Sequence, residues 1–190
     1  MSAQKTTTTT TSTSAPIRPP TAPADTGPRT LDDLAALDVT QLEEVYRRGT
    51  VPASLHALDG SPTCRMLAVR GLDSGVAAGA IRGFAGSSAF PWAGKSFDAT
   101  SDGDGKGINR VRLAGTRRWF PFTTRVEPSA IDGAPCILLD YDHSVNPKPI
   151  RMIRDELREV APGLFLGPAM WKTDTKKVHV LWFALDSRLS

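Results

Sequence analysis

The sequence predicts a mainly β (α+β) fold: an antiparallel meander forming a small barrel or strongly curved sheet, behind one or two N-terminal helices. Three observations carry that expectation. Short apolar runs follow one another through the second half of the chain, and the segments between them are rich in Gly, Pro, Asp and Asn, the residues of tight turns. Long helical patterns do not alternate with these runs, which argues against parallel βαβ units. Ahead of them, Leu31, Leu34, Leu37, Leu42, Val45 and Tyr46 recur at helical spacing.

Taken in order, residues 1–30 form a Thr/Pro/Ala/Ser mixture almost without large apolar side chains. Such a segment cannot bury enough surface to offset its ordering entropy, so a disordered tail is expected. It has no apolar stretch of the secretory kind, and no later stretch is long and apolar enough to span a bilayer. A cytoplasmic, soluble protein is the resulting expectation. Residues 31–190 then form a single domain, with a helical lead-in over 31–48 and a β-rich body over 62–190.

Within the lead-in, a break near Asp38 would give two short helices. Thr40 followed by Glu43 has the spacing of a capping box, and Gly49 suits a left-handed helix end. Cys64–Arg70 reads as a strand, and Asp73–Ser88 as a short helix weakened by glycines. Further strands are expected at Ile108–Leu113, Arg117–Thr124, Cys136–Asp142, Leu164–Trp171 and Val178–Leu185. Ile150–Val160 fits either a helix, through Ile150, Ile153, Leu157 and Val160, or an exposed strand with alternating charges.

The formal charge is +3, but the tail holds Lys5, Arg18 and Arg29 against Asp25, which leaves the body near +1. So balanced a body argues against a nucleic-acid trap. Cys64 and Cys136 are far apart, and His56, His143 and His179 form no metal-ligand spacing with them. No metal and no cofactor are expected, and both cysteines read as small buried side chains.

Several motifs suggest chemistry and are better explained by structure. "WAGKSF" ends like a phosphate loop, but the glycine required five residues before Gly94 is Ala89. "DGDGKG" starts like a calcium loop, yet Lys106 takes a ligand position and Leu113 stands where the bidentate acid belongs. The basic and aromatic run from Asn109 to Arg125 could stack and neutralise a single strand. Two strands with alternate residues facing solvent account for it more simply. "LLDYDHS" gathers Asp140, Asp142 and His143, candidate acid–base groups; on a strand Asp140 and Asp142 share one face and Tyr141 takes the other. In "RMIRDELRE", paired Arg and acid side chains including Asp155 and Arg158 could anchor a ligand if they point inward.

The order of these residues resembles a set of bacterial proteins and, more distantly, the GXWXG-type domain of unknown function. The likeness runs through Trp92-x-Gly94-Lys95-x-Phe97, Asp140-Tyr141-Asp142, Pro149-Ile150, Asp155, Arg158, Val160, Leu166-Gly167 and Met170–Lys172, closing at "LWFALD". Near Gly60, where the signature tryptophan would fall, the chain reads "GSPTCR". The resemblance implies a lipocalin-like small barrel and supplies no activity.

Function is therefore expected from the aromatic and methionine content: a barrel that binds a small apolar or amphiphilic ligand. The ligand-binding residues expected are Trp92, Lys95, Asn109, Arg110, Tyr141, Asp155, Arg158, Met170 and Trp171. Two alternatives stay open. One is a small-molecule enzyme, such as a cyclase, isomerase or hydrolase, using Asp140, Asp142 or His143. The other is an interaction module tethered by the Thr/Pro tail.

Overall fold

The computed structural model describes residues 27–69, 92–112 and 115–189. The expected tail over 1–30 therefore lies almost wholly outside the described residues, and the expected helix Asp73–Ser88 lies entirely outside them.

The lead-in is two helices, α1 (Leu31–Ala35) and α2 (Val39–Arg48), separated at Asp38, the second of the two arrangements expected. Their caps differ from the expected pair. Thr30 closes a capping box with Asp33, and Asp38 closes one with Gln41; Thr40 lies inside α2. Nor is Gly49 left-handed. Its φ and ψ are −68° and 161°, and a Cβ there would meet Arg158 Cβ at 2.9 Å. The glycine is needed because the chain leaving α2 runs hard against the sheet, where Thr50 bridges Glu159.

Eight strands follow: β1 (Thr63–Val69), β2 (Trp92–Ala99), β3 (Asp104–Arg112), β4 (Thr116–Pro128), β5 (Pro135–Asp140), β6 (Ile153–Ala161), β7 (Leu164–Lys172) and β8 (Lys177–Asp186). Among the described residues they form one antiparallel sheet in the order β1-β8-β7-β6-β5-β4-β3-β2, an up-and-down meander whose first strand returns beside the last. The ambiguous stretch resolves into a one-turn helix α3 (Lys148–Arg151) and then β6.

The sheet curls into a nearly closed barrel. Its seam lies between β1 and β2, where Lys95 N–H donates to Cys64 Sγ (3.4 Å) and Gly60 pairs with Phe97. Arg110, from β3, reaches across the seam and donates to the carbonyls of Ser61 and Pro62. Gly94 makes the close approach possible: its φ is +110°, and a Cβ would meet Cys64 Sγ at 2.8 Å. Gly60 has φ +98° but open space around it, so it isolates the backbone contribution. Gly60→Ala is expected to cost about 1–3 kcal/mol for its backbone alone. Gly94→Ala should cost more, because the seam must also part. Urea midpoints at unchanged slope would measure both; equal losses would remove the seam from the explanation.

Two apolar layers result. Inside the barrel lie Phe97, Phe122, Ile137, Leu139, Leu157, Phe165, Phe183 and Leu185, with Leu55 and Leu58 of a 3₁₀ turn packed among them. That turn is tied to the β2–β3 connection through Leu55 N–H and the Asp102 carbonyl, so it stops one end of the barrel. Outside, α1 and α2 lay Leu34, Leu42, Val45 and Tyr46 on Leu164, Leu166, Trp182 and Ala184. Alternation along β8 sends Phe183 and Leu185 inward and Trp182 and Ala184 under the helices.

Candidate functional site

At the end away from the 3₁₀ turn, the barrel interior holds a cavity of about 150 Å³. Its walls are mostly apolar and include Trp92, Phe120, Ile153, Trp171, Leu181 and Phe183. Four polar side chains converge within it, Lys95, Asn109, Tyr141 and Asp155, each from a different strand or strand end and all nearly sealed from solvent.

Strand irregularities aim these groups. On β2, the register slips between Trp92 and Gly94, so one residue is left over and both Trp92 and Lys95 reach the cavity despite their spacing. Opposite, Phe120 is left over where Ile108 pairs Pro121 and Asn109 pairs Trp119. It sits at φ 59°, the single non-glycine residue with positive φ among those described. Its carbonyl accepts from Asn109 Nδ2 (3.3 Å), and its ring lines the cavity. A bulky residue held in that conformation costs of order 1–3 kcal/mol and persists because its neighbours fix it, a condition that clusters at functional sites.

The polar cluster is tightly connected. Lys95 Nζ donates to Asn109 Oδ1 (3.0 Å), the Tyr141 hydroxyl (2.5 Å) and Asp155 Oδ2 (2.8 Å). Tyr141 donates its own proton to Asp155 Oδ2 (3.0 Å). Asn109 Oδ1 also accepts from Trp92 Nε1 (3.1 Å), and Asn109 Nδ2 lies 3.3 Å from the Tyr141 oxygen. The ammonium lies 5.2–5.6 Å from the ring centres of Trp92, Phe122, Tyr141 and Phe183, where aromatic faces favour a cation.

The electrostatics follow from that geometry. Burial by itself would lower the pKa of Lys95, but the Asp155 carboxylate and the Tyr141 hydroxyl more than offset it and hold the ammonium above the ordinary lysine range. Burial and the same carboxylate push the Tyr141 hydroxyl up, so it stays protonated. The floor of the cavity is thus an ion pair, with a neutral phenol and an amide beside it.

Of the expected ligand-binding residues, Trp92, Lys95, Asn109, Tyr141, Asp155, Met170 and Trp171 all line this cavity. Two do not. Arg110 is committed to the seam carbonyls, and Arg158 points from the opposite face of β6. There Arg158 grips Asp132 at 2.6 and 2.8 Å and stacks on the Tyr46 ring. The candidate acid–base residues also lie outside. Asp140 is paired with Arg125 and Lys172, Asp142 with Arg151, and His143 occupies the turn that follows. Sequence reasoning passed over Met66, Ile150, Ile153, Val180 and Leu181, apolar side chains that complete the wall and carry no signal beyond their hydrophobicity.

Among the described residues, no group of three His, Cys, Asp or Glu side chains is placed to hold a metal ion. Cys136 lies on the outer face; burial and the nearby Glu156 carboxylate push its thiol up to about 12, so it is not a nucleophile near neutral pH. No described helix is long and apolar enough to cross a membrane.

No family model and no curated protein matches the chain. Its fold is similar to that in a crystal structure of a protein from Thermomonospora curvata, at 20% identity over 79% of this chain and 87% of the other, with a TM-score of 0.48.

Proposed function

We propose that this protein is a small-ligand-binding β-barrel whose ligand is an apolar or amphiphilic molecule held at the Lys95–Tyr141–Asp155 end of the barrel. The observation that carries the reading is the cavity itself: an apolar chamber with a few convergent polar groups, the usual make-up of a small-molecule site. Bulges that turn Trp92 and Phe120 into that chamber, one at the cost of a strained backbone, support it further. Hydrophobic residues of equal volume are often as stable as a buried ion pair or more so, which leaves the Lys95–Asp155 pair available for a ligand.

Native mass spectrometry of the purified protein, with thermal shift against monocyclic and short-chain apolar compounds, tests the proposal. A ligand at a hundred times its Kd is expected to add about 2.7 kcal/mol of stability. Trp92 and Trp171 line the cavity, so their emission should change in step with binding. No retained small molecule and no stabilisation by any compound would overturn the reading.

A further inference from the structure

We infer that the ligand is a compact, neutral, single-ring molecule that carries a hydroxyl or N–H, and that it donates this hydrogen to Asp155 Oδ1. The inference rests on reading the cavity as a ligand site and narrows the class of ligand. Every donor on the polar floor is already engaged. The three Lys95 N–H bonds go to Asn109, Tyr141 and Asp155, and the Tyr141 O–H goes to Asp155 Oδ2. Trp92 Nε1 goes to Asn109 Oδ1, and Asn109 Nδ2 faces the Phe120 carbonyl and the Tyr141 oxygen. A ligand that can only accept finds no free hydrogen among the described side chains of this floor.

The acceptors are not all engaged. Asp155 is 3% exposed and lines the cavity, and its Oδ1 is buried without a hydrogen-bond partner, so a ligand donor meets it once the carboxylate turns toward the chamber. A buried carboxylate oxygen without a donor is costly, so the site has an unmet demand for one. Charge leads to the same class. Lys95 and Asp155 neutralise each other at 2.8 Å, so a ligand carboxylate would enter against an unpaired oxygen of like charge, with no free cation among the described lining residues to meet it. Fatty acids and other anionic amphiphiles are thereby disfavoured. Size sets the rest: the inner space of this half-open cavity, about 150 Å³, is close to the apolar volume, ~150 Å³, that takes up benzene in an engineered core. One six-membered ring fits, with its hydroxyl toward Asp155 and its carbons among the aromatic walls.

Phenol, toluene and benzoate share a ring and differ in the group offered to Asp155, so calorimetric titration of the unaltered protein with each decides the matter. Phenol is expected to bind about tenfold or more tightly than toluene, the factor set by a hydrogen bond to a charged acceptor. Benzoate is expected not to bind. Equal affinity for phenol and toluene would mean that water holds Oδ1, and would overturn the inference while leaving an apolar ligand site standing. Preference for benzoate would overturn it as well. Failure of all three probes, with binding of longer compounds in the native mass spectra, would refute the single-ring class alone; failure in both experiments would remove the ligand site with it. Asp155→Asn supplies an independent reading, because an amide turned to keep its oxygen on Lys95 presents N–H to the cavity. The advantage of phenol over toluene should then shrink and benzaldehyde, which only accepts, should gain. An unchanged order in a folded variant would count against Asp155 as the contact.

Discussion

Asp155→Ala is expected to lower folding stability by about 3–5 kcal/mol, the cost of leaving one partner of a buried ion pair uncompensated. Both side chains of the Lys95–Asp155 pair are only 5% exposed, so the ammonium left behind is largely cut off from bulk water. The double replacement Lys95→Met with Asp155→Leu should regain most of that loss, since it removes both charges and keeps the volume. The pH dependence distinguishes this explanation from a simple cavity effect. In the unaltered protein Lys95 is raised above its unfolded value, so the pair contributes fully below about pH 10.4 and is lost only as pH rises through the folded value. Near neutrality its contribution is flat. In Asp155→Ala the carboxylate is gone and burial, the largest influence on Lys95, lowers it instead. The unfolded chain then binds the extra proton, so the variant's stability should rise with pH between neutrality and about pH 10.4. Urea titrations at three pH values would measure this; a loss under about 1 kcal/mol with no pH slope would mean that solvent reaches the ammonium.

The same pair shows what could be read from the sequence and what could not. Strand positions were legible because runs such as Leu164–Trp171 are apolar and end in turn residues, and β7 and β8 fall within a residue of the expected bounds. The inward set Trp92, Lys95, Asn109, Tyr141 and Asp155 was legible as chemistry, because polar residues set among aromatics are expensive to bury without purpose. Grouping Arg158 with Asp155 failed for a geometric reason. Residues three apart share a face on a helix but take opposite faces on a strand. The stretch Ile150–Val160 satisfied both periods, and only its pairing with β5 and β7 selects the strand. Arg110 was misplaced for the related reason that no local pattern announces which two strands meet at a barrel seam. The bulges at Gly94 and Phe120 were equally hidden, since each depends on a register set by the partner strand.

Glu156 belongs to the other face of β6, and its replacement by Ala is expected to cost a similar 3–5 kcal/mol. The carboxylate is fully buried and takes hydrogen bonds from four groups. Oε2 accepts from the hydroxyls of Tyr46 (2.9 Å) and Ser129 (2.6 Å), and Oε1 from Ala130 N–H (2.9 Å) and Arg154 Nε (2.8 Å). Tyr46 is the last buried residue of α2, and its ring also packs on Trp182 and beneath Arg158. One side chain therefore joins α2, the β4–β5 connection and β6. Burial alone would raise the Glu156 pKa; the Ser129, Ala130 and Arg154 donors outweigh it and hold it below the usual carboxylate range. Such a group contributes stability above its unfolded value, about 4.3, and loses it as pH falls through the folded one. Glu156→Gln keeps the shape but not the charge, so it should cost less, about 1–3 kcal/mol, and flatten the fall in stability below about pH 4.3. Hydrogen exchange locates the effect. In Glu156→Ala the amides of α2 should open well before those of β7 and β8, because the helix loses its polar tether while the inner barrel core is untouched. Uniform loss of protection across the strands would mean that the helices and the barrel unfold as one unit, and that Glu156 stabilises the barrel itself and not the docking of α2 upon it.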